Sequence, residues 1–404
     1  MLYVGIDIAK EKHDACVIDQ EGNILLKCFT FPNSAAGANA LLARIGKLNT
    51  ASSPVTIGME ATGHYWLALY THLKANEQTV CVINPVQSDA LRNLYIRQTK
   101  TDTVDAFIIA EVLRFGRFTQ TQLAEPDMLA LRNLCRYRMS LIDMISDIKR
   151  KVMAVMEQIF PEYEKLFSKV FGMASVELLS TCTTPEEMMK LSTDNLAKLL
   201  NEASNGRLGA KRAADKAQKI HQAAATSFGT KIAADVLAFQ VRQELEQIKL
   251  MESHIAELDE HIAVLYSRFD CTLDSMPGLG PVLAAIVLSE IGDISRFAAP
   301  QKLVAFAGID PSVRQSGNFS GNQSRMSKRG SPYLRRAVWL AAFVAAFNDP
   351  VFSAFYQKKR AEGKDHMTAI GAVSRKYLYT VFALLKSGQS YVPHPSSVNS
   401  SSDA

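Results

Sequence analysis

The sequence predicts an α/β domain with a mixed β-sheet at the N-terminus, followed by a long helical region and a mostly α-helical C-terminal domain. Three observations support this prediction: β-rich runs alternate with helical patterns, heptad-like apolar spacing follows, and strongly apolar helices come last. The tail is rich in Ser and Pro and is predicted to be disordered. We expect segments at residues 1–125, 126–270, 271–386 and 387–404.

The composition is that of a globular protein large enough to bury substantial cores. The chain has 404 residues, of which 48% are apolar, and no apolar run reaches the ~18 residues of a membrane-spanning helix. It opens on a predicted strand, which does not resemble a signal peptide. The six cysteines are scattered without a C-x-x-C pair, so we expect reduced thiols in a cytoplasmic protein and no zinc site.

The first hundred residues alternate between strand and helix signals. Three β-rich runs are followed by a helix that Ser34 can cap, and then by two further strands, each followed by a helix. This β-β-β-α-β-α-β-α order predicts a mixed sheet with helices packed on its faces. The predicted strands cover residues 2–8, 13–19, 24–31, 55–60 and 80–83.

Four acidic residues fall at informative points in that order. Asp7 lies in the first strand and Glu60 at the end of the fourth, while Asp102 and Asp105 open the last helix. Residues three apart share one helical face, so the two aspartates point the same way. Any one acid is better explained by a surface position or a helix cap, but the four together indicate a ribonuclease-H-like metal site. Carboxylates suit Mg²⁺ or Mn²⁺, and two such ions can act on a phosphodiester.

Two apolar repeats mark the helical region. After one initial interval of seven residues in the first repeat, their spacings of three and four residues are typical of a coiled coil. The two helices could form it with each other as an antiparallel hairpin, or with another protomer. Core helices of a bundle would give the same pattern. The repeats are Leu134, Leu141, Ile145, Ile148, Val152, Val155 and Ile159, and Ile248, Met251, Ile255, Leu258, Ile262 and Leu265.

The C-terminal region has the features of a polyanion-binding domain. Residues 311–376 contain twelve basic side chains against three acids, which suggests a nucleic-acid partner, although a solvated surface would give the same excess. Gly278 and Gly280 precede a helix that starts at Pro281, as in a helix-hairpin-helix phosphate clamp or in an ordinary helix start.

A polar loop at residues 310–330 contains five serines, three glycines and several cations. A serine beside arginines could attack a phosphodiester. Because no His or Asp base stands nearby in sequence, composition alone favours a phosphate-binding loop over a nucleophile.

Together these motifs resemble the insertion sequence 110 family of transposases, DEDD recombinases related to the Piv and MooV DNA invertases. The resemblance covers nearly the whole chain except the tail and the middle of the helical region. It is carried by Gly5-Ile6-Asp7, Glu60-Ala61-Thr62-Gly63, Lys100-Thr101-Asp102-Thr103-Val104-Asp105, Pro277-Gly278-Leu279-Gly280-Pro281, Ala307-Gly308, Ser327-Lys328-Arg329-Gly330 and Leu334-Arg335.

The resemblance implies a RuvC-like domain in which Asp7, Glu60, Asp102 and Asp105 bind Mg²⁺ or Mn²⁺. It also implies a nucleophilic serine, matched by Ser316 before Gly317, with Ser320 as the alternative. Basic residues would hold nucleic-acid phosphates, and we assign this role to Arg314, Arg325, Lys328, Arg329, Arg335 and Arg336.

The family further implies a structured bridge RNA that pairs with donor and target DNA. It implies a homo-oligomer, expected to be a tetramer built as a dimer of dimers, in which acids and serine come from different subunits. Such a protein is expected in the bacterial cytoplasm, at the nucleoid.

Three other classes compete with this interpretation. A Holliday-junction resolvase or related metal nuclease would use water and would not need the loop serines. A sugar-kinase or actin-like ATPase also begins with Gly-Ile-Asp, but we find no later Asp-x-Gly-Gly loop. A non-catalytic nucleic-acid scaffold would not need all four acids.

Overall fold

A computed structural model of the protein divides the chain into two compact units, Met1–Leu123 and Ala124–Ala404. For residues 102–103, 315–316 and 319–320 the description is limited to the backbone. The structure describes residues 1–49, 52–60, 63–83, 88, 91, 102–116, 125–311, 315–316, 319–320 and 325–393.

Unit 1 is the mixed α/β domain that the sequence predicts. Its strands lie at the predicted positions, with ends that differ by at most one residue. They are β1 Leu2–Asp7, β2 Lys12–Ile18, β3 Ile24–Pro32, β4 Val55–Glu60 and β5 Thr79–Ile83, and the helices are α1 Ala35–Leu48, α2 Trp66–Ala75 and α3 Asp102–Phe115. Ser34 caps α1 as predicted, accepting a hydrogen bond from the Gly37 amide at 3.1 Å.

The five strands form one mixed sheet in the order β3-β2-β1-β4-β5. The first three strands are an antiparallel meander, whereas β1, β4 and β5 run parallel to one another. The parallel pairs follow from the helical crossovers that join them. As a result, β1 lies at the centre of the sheet and its carboxyl end is adjacent to that of β4.

Alternation along the strands separates the two faces of the sheet. One face carries Val4, Ile6, Ile57 and Met59, which are fully buried against α1 and α2. The other face is covered by α3, whose apolar side packs on Cys16, Ile18, Cys81 and Ile83.

In unit 2, two long helices, α4 Pro126–Ile159 and α10 Ala234–Tyr266, pack side by side. Residues early in α4 pair with residues late in α10 and beyond it, so the helices are antiparallel. The ion pairs that fix this direction are Asp127–Arg268, Arg138–Asp259 and Lys149–Glu252.

Five short helices lie between these two long ones in sequence. Their apolar residues, including Leu178, Leu196 and Ile220, form one core with the second half of α4 and the first half of α10. The predicted repeats are therefore on buried or half-buried faces, but a coiled coil is not confirmed, since part of each face packs on short helices. These helices are α5 Tyr163–Leu166, α6 Met173–Thr181, α7 Pro185–Lys190, α8 Thr193–Ala203 and α9 Ala210–Ala225.

The C-terminal part of unit 2 is mostly helical, as predicted. A second core joins its helices to the first half of α4 and the last turns of α10. The helices are α11 Pro281–Ile291, α12 Pro300–Ala307, α13 Pro332–Asn348, α14 Pro350–Ala361 and α15 His366–Ser387, with a two-stranded ladder of β6 Gln315–Ser316 and β7 Phe319–Ser320 before α13.

Within the segment predicted as a disordered tail (387–404), the structure describes residues 387–393, and Tyr391 among them contacts the C-terminal core. The Tyr391 hydroxyl donates to Asp349 at 3.1 Å, and its ring stacks on Phe352. An aromatic anchor in a Ser- and Pro-rich stretch is enough to hold these residues against the core. Residues 394–404 lie outside the described part of the chain.

No single described helix is both long and apolar enough to cross a membrane; α13 and α14 meet that test only as a pair bent by 93°.

Candidate active site

The first two predicted acids meet at one edge of the sheet. Asp7 ends β1 and Glu60 ends β4, and these parallel strands pair with Ile6 opposite Met59. The register places Asp7 and Glu60 at equivalent positions on neighbouring strands. Two residues earlier, Gly5 pairs with Gly58, so both acids and both glycines belong to the same face of the sheet.

That face is the one on which α3 packs, and the two glycines let it approach. A Cβ on Gly5 would lie 2.0 Å from the carbonyl oxygen of Ala106, and one on Gly58 would lie 2.7 Å from Leu113 Cδ1. No side chain larger than hydrogen fits at Gly5 without moving the helix. The first turns of α3 are therefore held directly over the strand that ends at Asp7.

The helix brings the second pair of acids to this face. Asp102 is the first residue of α3, although its side chain lies outside the described part. Asp105 follows one turn later and is only 8% exposed. Its neighbour Ala106 is the residue in contact with Gly5. The predicted four acids thus come from β1, β4 and the start of α3, which pack together.

Two further polar residues lie at this edge, Ser88 and Asp14, and neither is evident from sequence. The Ser88 hydroxyl, fully buried, donates a short hydrogen bond to the Glu60 carboxylate. Asp14 on β2 pairs directly with Asp7, and its carboxylate accepts hydrogen bonds from the Thr30 hydroxyl and, at 3.4 Å, from the Cys28 thiol. Only the strand register reveals Asp14 as a neighbour of the site.

The donor set fits a hard divalent cation. Carboxylate oxygens from Asp7, Glu60 and Asp105 are the ligand type that Mg²⁺ and Mn²⁺ prefer, and the described elements bring no thiol into the set. Among the side chains that the structure describes, which leave out that of Asp102, no three acidic, His or Cys groups are close enough to hold a metal ion.

The predicted nucleophile lies in unit 2, in the ladder formed by β6 and β7. Ser316 is opposite Phe319 and Ser320 is opposite Gln315, so the two candidate serines occupy different residue pairs. The segment is closed at its base, where Pro311 forms an isolated bridge with Met326 and the Ser327 hydroxyl bonds the Asp310 carboxylate. These contacts fix where the serine segment leaves and rejoins the helical core.

The Ala307-Gly308 and Ser327–Gly330 motifs pack against each other at this base, through their glycines. A Cβ on Gly330 would lie 1.8 Å from the Phe306 carbonyl oxygen, and one on Gly308 would lie 2.8 Å from the Gly330 amide. Gly308 also has a φ of +66°, which favours glycine. The Ser331 amide donates to the Phe306 carbonyl at 2.8 Å, and Ser331 then caps α13. Both motifs therefore serve close backbone packing.

The predicted phosphate-binding cations differ in what they contact. Arg325, Lys328 and Arg329 are exposed at the base of the serine segment. Arg335 is half-buried and donates to the Ala307 carbonyl at 3.1 Å, and Arg336 forms an ion pair of 2.5 Å with Asp143. Arg335 and Arg336 thus contact the protein itself, and Arg314 lies outside the described residues.

The Gly278-Leu279-Gly280 turn has a packing explanation. Gly278 has a φ of +85°, and a Cβ there would lie 2.5 Å from the carbonyl oxygen of Ala341. Around Gly280, a Cβ would meet no atom within 4 Å. The first glycine thus allows α13 to pack on the turn, while the second leaves the start of α11 open.

Comparison with known proteins matches both halves of this arrangement. A family model described as "Transposase" matches residues 4–161, and one described as "Transposase IS116/IS110/IS902 family" matches residues 271–357. A protein of insertion element IS116 from Streptomyces clavuligerus is 26% identical, with 98% of this chain and 97% of that protein covered. A protein of IS900 from Mycobacterium paratuberculosis is 28% identical, with 97% of each covered.

A further relative is named for the inversion of a pilin gene. The pilin gene-inverting protein of Moraxella bovis is 25% identical, with 96% of this chain and 97% of that protein covered. The first family model spans Asp7, Glu60 and the start of α3, and the second spans the serine segment. The chain belongs to the IS110 family of transposases, enzymes that cut and rejoin DNA.

Proposed function

We propose that this transposase cuts DNA through a covalent serine–DNA intermediate, with Ser316 as nucleophile and Asp7, Glu60, Asp102 and Asp105 as ligands of Mg²⁺ or Mn²⁺. The observation that carries the proposal is the sheet edge itself. Asp7 and Glu60 end paired parallel strands on the face over which a glycine pair holds the first turns of α3. This RuvC-like arrangement concentrates negative charge, which a divalent cation would offset.

A bound divalent ion would polarise the scissile phosphate and favour the charge that develops on its oxygens. The chain's own groups orient the acids. Ser88 holds the Glu60 carboxylate by a hydrogen bond, and the backbone contact between Gly5 and Ala106 sets the height of Asp105 over β1. The Asp14 carboxylate accepts a hydrogen bond from the Thr30 hydroxyl, so we assign Asp14 a supporting role beside Asp7 and not that of a metal ligand.

In the covalent step, the Ser316 hydroxyl oxygen bonds to phosphorus while one phosphorus–oxygen bond to a deoxyribose breaks. The serine hydroxyl gives its proton to solvent and the departing sugar oxygen takes one from solvent, so the step has no net proton change. The phosphoserine link keeps the energy of the broken bond, so a new sugar hydroxyl can reverse the step and rejoin strands. Arg325, Lys328 and Arg329, exposed beside the segment, supply cations for the phosphate oxygens.

Family membership also supports the guide and the assembly that we propose. A structured bridge RNA pairs with donor and target DNA, so base pairing carries the sequence information, as it does in other RNA-guided enzymes. The active form is a homotetramer, a dimer of dimers, acting on DNA at the bacterial nucleoid. Sequencing of the RNA that copurifies with the full chain would identify the guide.

The decisive experiment traps protein–DNA adducts by denaturing the full chain during reaction with DNA carrying the element ends. Ser316→Ala should abolish the adduct, because no other group replaces the attacking oxygen. Ser320→Ala is the matched control, since it removes the same atom from the same ladder, and it should keep the adduct. Adducts that persist in Ser316→Ala and vanish in Ser320→Ala would transfer the role to Ser320.

A metal-dependent nuclease that uses water remains the second candidate, favoured by the sheet edge taken alone. It predicts strand cleavage without an adduct in both serine variants. Normal cleavage by Ser316→Ala would therefore replace the covalent mechanism with hydrolysis.

A further inference from the structure

Three arginines that the sequence does not single out converge around the carboxyl end of α11. Arg132 and Arg136 come from the first turns of α4, and Arg296 from the short 3₁₀ helix after α11. Arg132 donates to the Ser289 carbonyl at 2.7 Å, and Arg136 bonds both oxygens of buried Glu290 at 2.6 and 3.0 Å. We call Arg132, Arg136 and Arg296 the guanidinium cluster.

The cluster holds more positive charge than its surroundings neutralise. Glu290 pairs with Arg136, whereas no carboxylate in the described part of the chain lies within ion-pair distance of Arg132 or Arg296. Burial lowers the pKa of the Arg132 guanidinium; the Glu290 carboxylate partly offsets this effect, and repulsion from Arg136 adds to it. Partial burial likewise lowers the pKa of Arg296, with repulsion from Arg132 as the next cause, while Asp293 and Glu290 offset part of the effect. A bound anionic ligand would stabilise the charged form of both guanidinium groups.

Aromatic rings orient two of the three side chains. The Arg296 guanidinium lies over Phe297 and Phe306, 4.7 and 4.6 Å from the ring centroids. The Arg136 guanidinium lies 4.7 Å from the centroid of Tyr333. Stacking of this kind uses the face of the guanidinium and leaves N–H groups at its edge able to donate to phosphate oxygens.

The cluster adjoins the base of the serine segment. Glu290 accepts a hydrogen bond of 2.7 Å from the hydroxyl of Ser331, which follows Lys328, Arg329 and Gly330 directly. Ser331 also caps α13, the helix that carries Tyr333. A polyanion that contacts Lys328 and Arg329 would therefore continue onto the guanidinium cluster.

From these contacts we infer that the guanidinium cluster binds the phosphate backbone of double-stranded DNA next to the serine segment. The inference rests on the proposed function for the role of that segment, but the contact itself is sequence-independent. Arg132 and Arg296 supply the binding donors. Arg136, paired with Glu290, positions Tyr333 and Ser331 beside them.

The test measures binding of a short duplex of random sequence to the full chain by fluorescence anisotropy, across about 50 to 200 mM salt. Each lost phosphate contact should reduce the slope of log affinity against log salt by about 0.9. Arg296→Gln should therefore reduce the slope by the value of about one contact. The double variant, which also carries Arg132→Gln, should reduce it by the value of about two contacts. Arg150→Gln is the matched control, since Arg150 lies on α4 and is already paired with Asp147.

An unchanged slope in Arg296→Gln, with an unchanged melting temperature, would overturn the inference. If Arg132→Gln fails to fold because the Ser289 carbonyl loses its donor, Arg296→Gln decides alone, since its side chain donates to no backbone carbonyl in the described part. A slope that changes only with an RNA duplex would also overturn the assignment to DNA. Ser316→Ala should keep the full slope, so failure of the serine mechanism would be seen separately.

Discussion

The two units support their predicted catalytic groups in different ways. In unit 1, Asp7 and Glu60 are fixed by the register of long paired strands, and Asp105 by a helix that contacts Gly5 through its backbone. In unit 2, Ser316 belongs to a ladder of two-residue strands, and the described contacts that tie this segment to the core lie at its base. The acids are thus placed by the sheet, and the serine by the two ends of its segment.

The comparison indicates where each group can be disturbed. Both regions depend on glycines that allow backbones to touch, Gly5 beneath α3 and Gly330 beneath Phe306. A change at Gly5 disturbs the packing of α3 on the sheet that carries the acids. A change at Gly330 disturbs one backbone contact at the base of the serine segment. Four predictions test this difference, in decreasing order of expected effect.

The largest effect is expected from the acids. Asp7→Asn, Glu60→Gln or Asp102→Asn should each lower the rate of DNA strand cleavage by about a thousandfold or more, equivalent to roughly 4 kcal/mol of activation free energy. The reason is that each change removes the negative charge of a proposed metal ligand while nearly keeping its size. Cleavage of supercoiled DNA in Mg²⁺ measures the rate, and RNA and DNA binding should stay largely intact.

Asp14→Asn is the matched control for these variants. It pairs with Asp7 on the adjacent strand, but its carboxylate is bonded to Thr30. We expect a loss in cleavage rate of tenfold or less, about 1.4 kcal/mol. An equal loss from Asp14→Asn would add it to the site, and normal cleavage by Asp102→Asn would remove that residue from it.

The second prediction concerns the packing of α3 on Gly5 of the sheet. Gly5→Val places three carbon atoms where a Cβ alone would lie 2.0 Å from the Ala106 carbonyl, so it should destabilise the protein by about 3 kcal/mol. Denaturant unfolding followed by circular dichroism measures this loss. Gly46→Ala, exposed in α1 with no atom within 4 Å, should instead stabilise by about 0.5–1 kcal/mol. Equal stability of wild type and Gly5→Val would disprove the close approach.

The third prediction concerns the base of the serine segment. Gly330→Ala should destabilise unit 2 by about 1–3 kcal/mol, because its Cβ would lie 1.8 Å from the Phe306 carbonyl. Adduct formation should fall even under conditions where the protein stays folded, since the segment loses its anchor. A variant that unfolds more easily but forms adducts at the wild-type rate would show that the base does not position Ser316.

The smallest effect is in cysteine reactivity. Burial raises the pKa of the Cys16 and Cys135 thiols to about 12, so at neutral pH both should resist an alkylating reagent that modifies exposed Cys28. Mass spectrometry of the labelled protein measures the order. Because Cys16 packs beneath α3, Gly5→Val should increase its labelling and leave that of Cys135 unchanged.

Much of the fold follows from the sequence because it depends on local patterns. The β-rich runs predict the five strands, and the confirmed mixed sheet follows from their order with the helices. The three- and four-residue spacing correctly predicted buried faces on α4 and α10. It could not reveal that short helices from residues 163–225 share those faces, because a periodic stripe does not identify its partner.

The sites depend more on contacts between distant residues. The order of the acids predicted a common site, but only the strand register relates Asp14 to Asp7. A count of basic residues nominated Arg335 and Arg336, which the structure pairs with Ala307 and Asp143. That count covers residues 311–376 and so leaves out Arg132 and Arg136, which lie in α4, a helix whose sequence pattern indicates only an apolar face.

One feature of unit 2 bears on how it unfolds. The first half of α4 is buried in the core that contains α11–α15, and its second half is buried with the short helices. The antiparallel α10 passes through both cores in the opposite direction. Each long helix spans about 50 Å, so neither core can lose its packing without freeing half of two helices that the other core needs. Cooperativity is thereby transmitted along α4 and α10, and the two cores should melt as one.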